Sequence, residues 1–345
     1  MSVRDAASRC LRSELPYLDR YAGGAAPQGG RAVSDRRSVA ILGAGMAGAA
    51  AARRLAQAGL SVQVFDKGRT IGGRMATRRH GAMQFDHGAQ FMRAHGPAFE
   101  AQLNDWERRG IVAPWVGAGR YVGTPDMTAP VKDLLTGLPT ASGTTVARIR
   151  RSGSTWQVEA AAEAIHGPFD AVAITFPAPQ VRALLDASGY ALPGAERAAY
   201  APCWSLMIAT EGAMTEDLIE PRADPIGLIA ADGSKPGRPG GDRLTIHATA
   251  DWSRDHLEAP KAAIIAALLA AAERRLGAAL RPSYAEAHRW RYAQVERPLG
   301  VRTLYDPALR LGAAGDWCLG ARIEAAYDSG SALAGAILAD LGAGA

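Results

Sequence analysis

Long apolar runs are missing from this 345-residue sequence. No stretch of about 18 apolar residues occurs, which excludes a transmembrane helix. The first residues lack the apolar core of a signal peptide, so a cytoplasmic protein is expected. Cysteine is scarce: Cys10, Cys203 and Cys318 lie far apart with no C-x-x-C pair, so neither a disulfide framework nor a metal set follows. Sustained charge runs are absent too. The net charge of +5 comes mostly from scattered arginines in short pairs such as Arg78-Arg79 and Arg274-Arg275. No nucleic-acid surface is expected, while a mildly basic balance suits phosphate-bearing ligands. No internal repeat is found. A hydrophobic content of 48% and a charged content of 21% fit a globular chain of one large or two ordinary domains.

What is present centres on residues 39–48, Val-Ala-Ile-Leu-Gly-Ala-Gly-Met-Ala-Gly. A short β-type run leads into Gly43, Gly45 and Gly48 in G-x-G-x-x-G spacing. The alanine-rich segment 49–59 is predicted helical, and a second apolar run ends at Asp66, 23 residues after Gly43. This is the dinucleotide-binding arrangement. Gly43 permits the tight turn, Gly45 lets backbone approach a pyrophosphate, and Gly48 lets helix and strand pack closely. The helix N-terminus faces phosphate and the acid takes ribose hydroxyls. Gly72-Gly73 then forms a loop able to lie against a ligand, with Arg74 at its end for bidentate phosphate contact.

Further along, residues 97–109 have helical spacing with Phe99, Leu103 and Trp106 on one face. A hairpin is predicted over 144–160 around Ser152-Gly153-Ser154, then an apolar strand at 169–175 and a helix at 180–187. Strand-like runs at 204–210, 226–231 and 243–249 suggest an antiparallel region, followed by an amphipathic helix over 260–276. Residues 285–293 alternate: His288, Trp290 and Tyr292 face one way, Arg289 and Arg291 the other. A strand at 309–314 and a helix from about 322 to 341 finish the pattern. Residues 1–36, with a short helix over 10–21 and a Gly/Ala/Pro-rich linker, are expected to form a flexible extension.

Taken together, Gly43-Ala-Gly-Met-Ala-Gly48, Phe65-Asp-Lys67, Gly72-Gly-Arg-Met75, Asp86-His-Gly-Ala-Gln90, Phe176-Pro-Ala-Pro179 and Gly315-Asp-Trp317 resemble the FAD-dependent amine-oxidase superfamily. Pro202-Cys-Trp204, Ser234-Lys-Pro-Gly-Arg238, His247-Ala-Thr249, His288-Arg-Trp-Arg-Tyr292 and Glu324-Ala-Ala-Tyr-Asp-Ser-Gly330 make it similar to the bacterial renalase-like flavoproteins within it. The resemblance spans residues 38–341. It implies an α/β fold: a Rossmann-type FAD-binding domain (37–95, 141–195 and 299–345) with an inserted antiparallel-sheet substrate domain (96–140 and 196–298).

The resemblance also implies non-covalent FAD. Gly43, Gly45, Met46, Ala47, Gly48, Gly73 and Arg74 would hold the pyrophosphate, Asp66 and Lys67 the adenosine, and Val146 the adenine. Ala89 and Gln90 would lie along the isoalloxazine, and Asp316 would bind the ribityl-phosphate region. The amides at Arg322, Ile323 and Glu324 would face flavin N1 and C2=O, where charge develops on reduction. The implied substrates are the 2- and 6-dihydro isomers of NAD(P), oxidised by hydride transfer to flavin and then by O2, giving H2O2. Trp290 and Tyr292, with Trp204, would hold the ring, and His247 and His288 the carboxamide. Arg291, Lys235 or Arg238 would contact phosphates. Residues 288–293 contain no lysine to face flavin N5, and the Cys318 thiol reads as buried and free. Two alternatives remain open: another amine oxidase or desaturase of the superfamily, and a non-catalytic flavin-binding protein. A monomer or homodimer is expected, with no nucleic acid or membrane partner and no metal.

Overall fold

The computed structural model describes residues 36–161, 163–211 and 216–342. The expected helix at 10–21 and the linker after it lie outside the described residues.

The strand Ser38–Leu42 is almost wholly apolar and nearly all buried, as a parallel strand covered on both faces must be. Ser61–Phe65 and Ala171–Ile174 flank it in parallel register. Thr140–Ala141 adds one edge, while Leu311–Ala313 and the antiparallel Leu304–Asp306 add the other, making six strands. The short edge strand at 140–141 carries too little periodicity to be read in advance. The hairpin appears as Val146–Ser152 and Thr155–Ala160, with Ile165–Phe169 as an unanticipated third strand.

The helix Met46–Gln57 starts three residues before the predicted one, so Met46, Ala47 and Gly48 already belong to its first turn. It packs against Ile323–Leu341 through small residues. A Cβ on Gly330 would lie 2.0 Å from the Ala47 carbonyl oxygen, so the two helix backbones nearly touch there.

A second sheet of five antiparallel strands runs in the order Leu218–Ile219, Ile226–Ala231, Arg243–Ala248, Ala199–Ala209, Tyr284–Arg297. Its ladder slips between Ala201 and Cys203, where Pro202 has no N–H to donate. Trp204, Leu206, Ile208, Leu244, Ile246 and Ala287 bury one face against Ile264 and Leu268 of the helix Lys261–Leu276. Side chains alternate along a strand. The opposite face therefore carries Cys203, Ser205, Met207, Thr245, His247, Glu286, His288 and Trp290. Met207 meets Phe85 there, and the turn at 87–90 crosses the same face.

Candidate active site

The segments 43–48, 66–68 and 72–74 are joined by the distant Thr175 and Asp316 beside the parallel sheet. Gly43 has φ +112°, and a Cβ there would strike Thr175 Oγ1 at 2.6 Å. A Cβ on Gly48 would lie 1.9 Å from the Gly43 carbonyl oxygen, whereas one on Gly45 would meet nothing within 4 Å. The first and third glycines are needed by the fold, and the second borders open space. Gly45 caps the helix without a side chain, so the first-turn N–H groups keep donors free for a ligand. Gly72 N–H donates to the Ala44 carbonyl at 2.9 Å, and Gly73 sits across from Gly45. Ala89 N–H donates to the Arg74 carbonyl at 2.9 Å. The Asp66 carboxylate accepts from Ala44 N–H and Gly68 N–H, each at 2.6 Å, and so anchors the loop. Lys67 lies exposed on the rim, 3.4 Å from Gln180 Oε1.

Arg74 donates to Asp316 through both terminal nitrogens, at 2.8 and 2.6 Å, and to the Ala293 carbonyl at 3.1 Å. Burial works against the guanidinium charge, yet the Asp316 carboxylate holds its pKa above the ordinary value. Asp316 opens a separate short helix, Asp316–Leu319, rather than preceding the long one directly. The long helix begins at Ile323 with Arg322 as its extended cap. Glu324 accepts from His95 N–H at 2.9 Å and Gly96 N–H at 2.6 Å. Val146 starts the small three-stranded sheet. Cys318 is a buried free thiol, and burial pushes it up to about 11. Loop, guanidinium, carboxylate and open glycine thus form one cradle, and its uncapped first-turn N–H groups are donors of the kind a pyrophosphate accepts from.

Beside the cradle, the polar face of the second sheet presents aromatic and imidazole rings. Ser205 pairs with His247 on one side and His288 on the other, so the three form one row. Trp290 follows along the strand, opposite Cys203. His87 stacks on Trp290 at 5.1 Å between ring centres and meets His288 edge-on at 4.8 Å. The His87 carbonyl accepts from Trp290 Nε1 at 2.9 Å and faces His247 Nε2 at 3.3 Å. Burial pushes His87 down to about 3, helped by His288 and Arg78. It also pushes His247 and His288 down to about 4, with Arg78 and Lys261 adding to the effect on His288. His87 Nδ1 and Ser205 Oγ are buried without a hydrogen-bond partner among the described residues. Tyr292 packs edge-on against Tyr200 at 5.6 Å, and Tyr200 feels the charges of Asp316 and Arg74. His87, Ser205 and Tyr200 had no assigned role from sequence. Only the place of His87 inside Asp86-His-Gly-Ala-Gln90 hinted at one.

Four expected substrate contacts are corrected by the structure. Arg291 lies on the opposite face from Trp290 and donates to Glu258 at 2.6 Å, beside Arg289. Strand alternation alone requires this. Trp204 is buried in the apolar core, its Nε1 donating to the His256 carbonyl at 3.0 Å. Lys235 and Arg238 are buried with Asp86 and Asp232, not presented to a substrate phosphate. Lys235 Nζ lies 2.8 Å from Asp232 Oδ1 and 3.4 Å from Asp86 Oδ2, and Arg238 Nε donates to Asp86 Oδ2 at 3.2 Å. Burial opposes the Asp86 charge, but Lys235 and Arg238 bring its pKa down to about 2. Asp232 is instead raised, by burial and by Asp86.

The description of an NAD(P)-binding Rossmann-like domain matches residues 41–106, and that of a flavin containing amine oxidoreductase matches residues 118–338. A putrescine oxidase double mutant redesigned in cofactor binding superposes with a TM-score of 0.69 at 13% identity, over 88% of this chain and 99% of that one. Cyclohexylamine oxidase from Brevibacterium oxydans IH-35A gives a TM-score of 0.64 at 14% identity, over 89% and 100% of the two chains. At these identities the likeness is one of fold.

Proposed function

The chain belongs to the flavin containing amine oxidoreductase family and is an FAD-dependent oxidoreductase; from that premise we propose that it oxidises the 2- or 6-dihydro isomers of NAD(P) to NAD(P)+, with dioxygen reduced to hydrogen peroxide. FAD, when bound, supplies the acceptor for the hydride. The residues that would hold it are Gly43, Gly45, Met46, Ala47, Gly48, Gly73, Arg74 and Asp316 at the cradle, with Asp66, Lys67 and Val146 towards the adenosine. Ala89, Gln90, Arg322 and Ile323 would serve the ring system, and no covalent link is proposed. Segments 37–95, 141–195 and 299–345 are assigned to FAD, and 96–140 and 196–298 to substrate.

The observation that carries this reading is the charge state of the polar face. His87, His247 and His288, at about 3, 4 and 4, are neutral at pH 7, and the rings of His87 and His288 pack on the Trp290 indole. A dihydropyridine becomes aromatic on losing hydride, so it needs orientation rather than a strong base. Trp290 offers a flat apolar ring. A neutral imidazole offers one donor and one acceptor, the complement of a carboxamide. An alkylammonium substrate would call instead for an unpaired carboxylate, and Asp86 and Asp232 are both buried against cations.

Anaerobic mixing of the FAD-loaded protein with chemically reduced NAD isomers, followed by the visible flavin spectrum, tests the proposal. Bleaching by the 6-dihydro or 2-dihydro isomer is expected. An oxidised spectrum unchanged by these isomers but bleached by an amine would replace it with amine oxidation.

A further inference from the structure

The buried ion cluster behind the 86–90 turn is joined to the imidazole row through one side chain, Gln90. Lys235, only 2% exposed, has three N–H donors and three acceptors: Asp232 Oδ1 at 2.8 Å, Gln90 Oε1 at 2.8 Å and Asp86 Oδ2 at 3.4 Å. The Gln90 amide is thereby fixed in one orientation, because flipping it would aim an NH2 at an ammonium. Its two amide hydrogens go to the Asp86 carbonyl and to the Gly88 carbonyl, the latter at 2.9 Å. With the carbonyls on either side held, the His87 carbonyl between them accepts from Trp290 Nε1 and faces His247 Nε2.

We propose that Lys235 is a positioning residue: through Gln90 and the 86–90 turn it fixes the tautomer of His247 and the seating of Trp290. A carbonyl only accepts, so the His247 nitrogen facing it, Nε2, carries the proton. The approach of Gln90 Nε2 to the same nitrogen, at 3.4 Å, is not a competing hydrogen bond, since both amide hydrogens are engaged elsewhere. His247 Nδ1 is left as a lone-pair acceptor with no hydrogen-bond partner among the described residues. It is thus set to receive an N–H from the substrate. The Lys235 charge further disfavours an imidazolium at His247, after the larger effect of burial. This assignment rests on the proposed function only in taking His247 as a substrate contact.

The test uses FAD-saturated protein carrying 15N-labelled histidine. Long-range proton–nitrogen spectra report the His247 tautomer without substrate. Wild type is expected to show the Nε2–H form. Lys235→Met and Gln90→Met, each saturated with FAD, are expected to show a mixture of tautomers, with kcat/KM for the dihydro-NAD isomer lowered at least tenfold. Gln90→Met leaves the four charges paired, so it decides the matter if Lys235→Met does not fold. A folded Gln90→Met protein that keeps the pure Nε2–H form overturns the proposal. Failure of wild type to oxidise any dihydropyridine would instead overturn the functional reading, since the tautomer is read independently of turnover.

Discussion

Replacing Gly330 by alanine separates two effects that usually act together. Gly330 and Gly335 both lie inside the helix Ile323–Leu341, where alanine is favoured over glycine by about 1 kcal/mol. At Gly330 the new methyl would stand 2.0 Å from the Ala47 carbonyl oxygen, and backbone cannot swing aside. The helices would have to part by more than an ångström, and overpacking of this kind costs up to about 3 kcal/mol. The net expectation is a loss of about 2 kcal/mol after the gain in propensity. At Gly335 the nearest atom is a terminal nitrogen of Arg54 at 3.3 Å, on a side chain able to yield. Gly335→Ala should therefore be neutral or up to about 1 kcal/mol more stable. Ala47 also belongs to the cradle, so Gly330→Ala should weaken FAD and Gly335→Ala should not. Urea unfolding and quenching of flavin fluorescence measure the two quantities. Equal stability and equal FAD affinity in both variants would refute the reasoning.

Arg74→Met leaves the nearly buried Asp316 carboxylate without its bidentate partner. A drop in FAD affinity of at least tenfold is expected in fluorescence titration, the equivalent of about 1.4 kcal/mol. Asp86→Asn removes the shared partner of Lys235 and Arg238, and should cost about 3–5 kcal/mol in urea unfolding. Arg291→Ala should leave kcat/KM within about twofold while Trp290→Ala lowers it at least tenfold; the reverse order in steady-state assays would place the substrate on the wrong face of the strand. The histidine shifts fix a pH response. A buried neutral histidine binds fewer protons than its unfolded counterpart, whose pKa is about 6.5. Stability is then complete above that value and falls as pH drops towards 4, the folded value of His247 and His288. Thermal melts between pH 7 and 4 would show it, and a midpoint that rises on acidification would contradict it.

The cofactor half was legible because its constraints are local. Gly43 must take a φ of +112° and Gly48 must clear the Gly43 carbonyl five residues back, and such local needs leave a fixed spacing in the sequence. The alternation that put His288, Trp290 and Tyr292 on one face was equally visible, and the same alternation removes Arg291 from that face. Lys235 and Arg238 misled because a lysine and an arginine in a Gly/Pro-rich loop look solvated. Their burial depends on Asp86, 149 and 152 residues away, and no window along the chain contains both ends. Ser205 escaped notice for a related reason: only strand pairing places it between two histidines.

The pairing of Arg74 with Asp316 spans 242 residues. At ribosomal speeds of about 5–20 residues per second, the acid emerges on the order of tens of seconds after the arginine. During that interval the glycine loop exists without the carboxylate that closes the cradle, and without the helix bearing Gly330 that braces Ala47. An FAD held by this cradle would therefore be captured late in biosynthesis, only after the distant halves of the chain have met. Cellular FAD supply would then govern how much of the newly made protein survives, separately from how fast each finished molecule turns over.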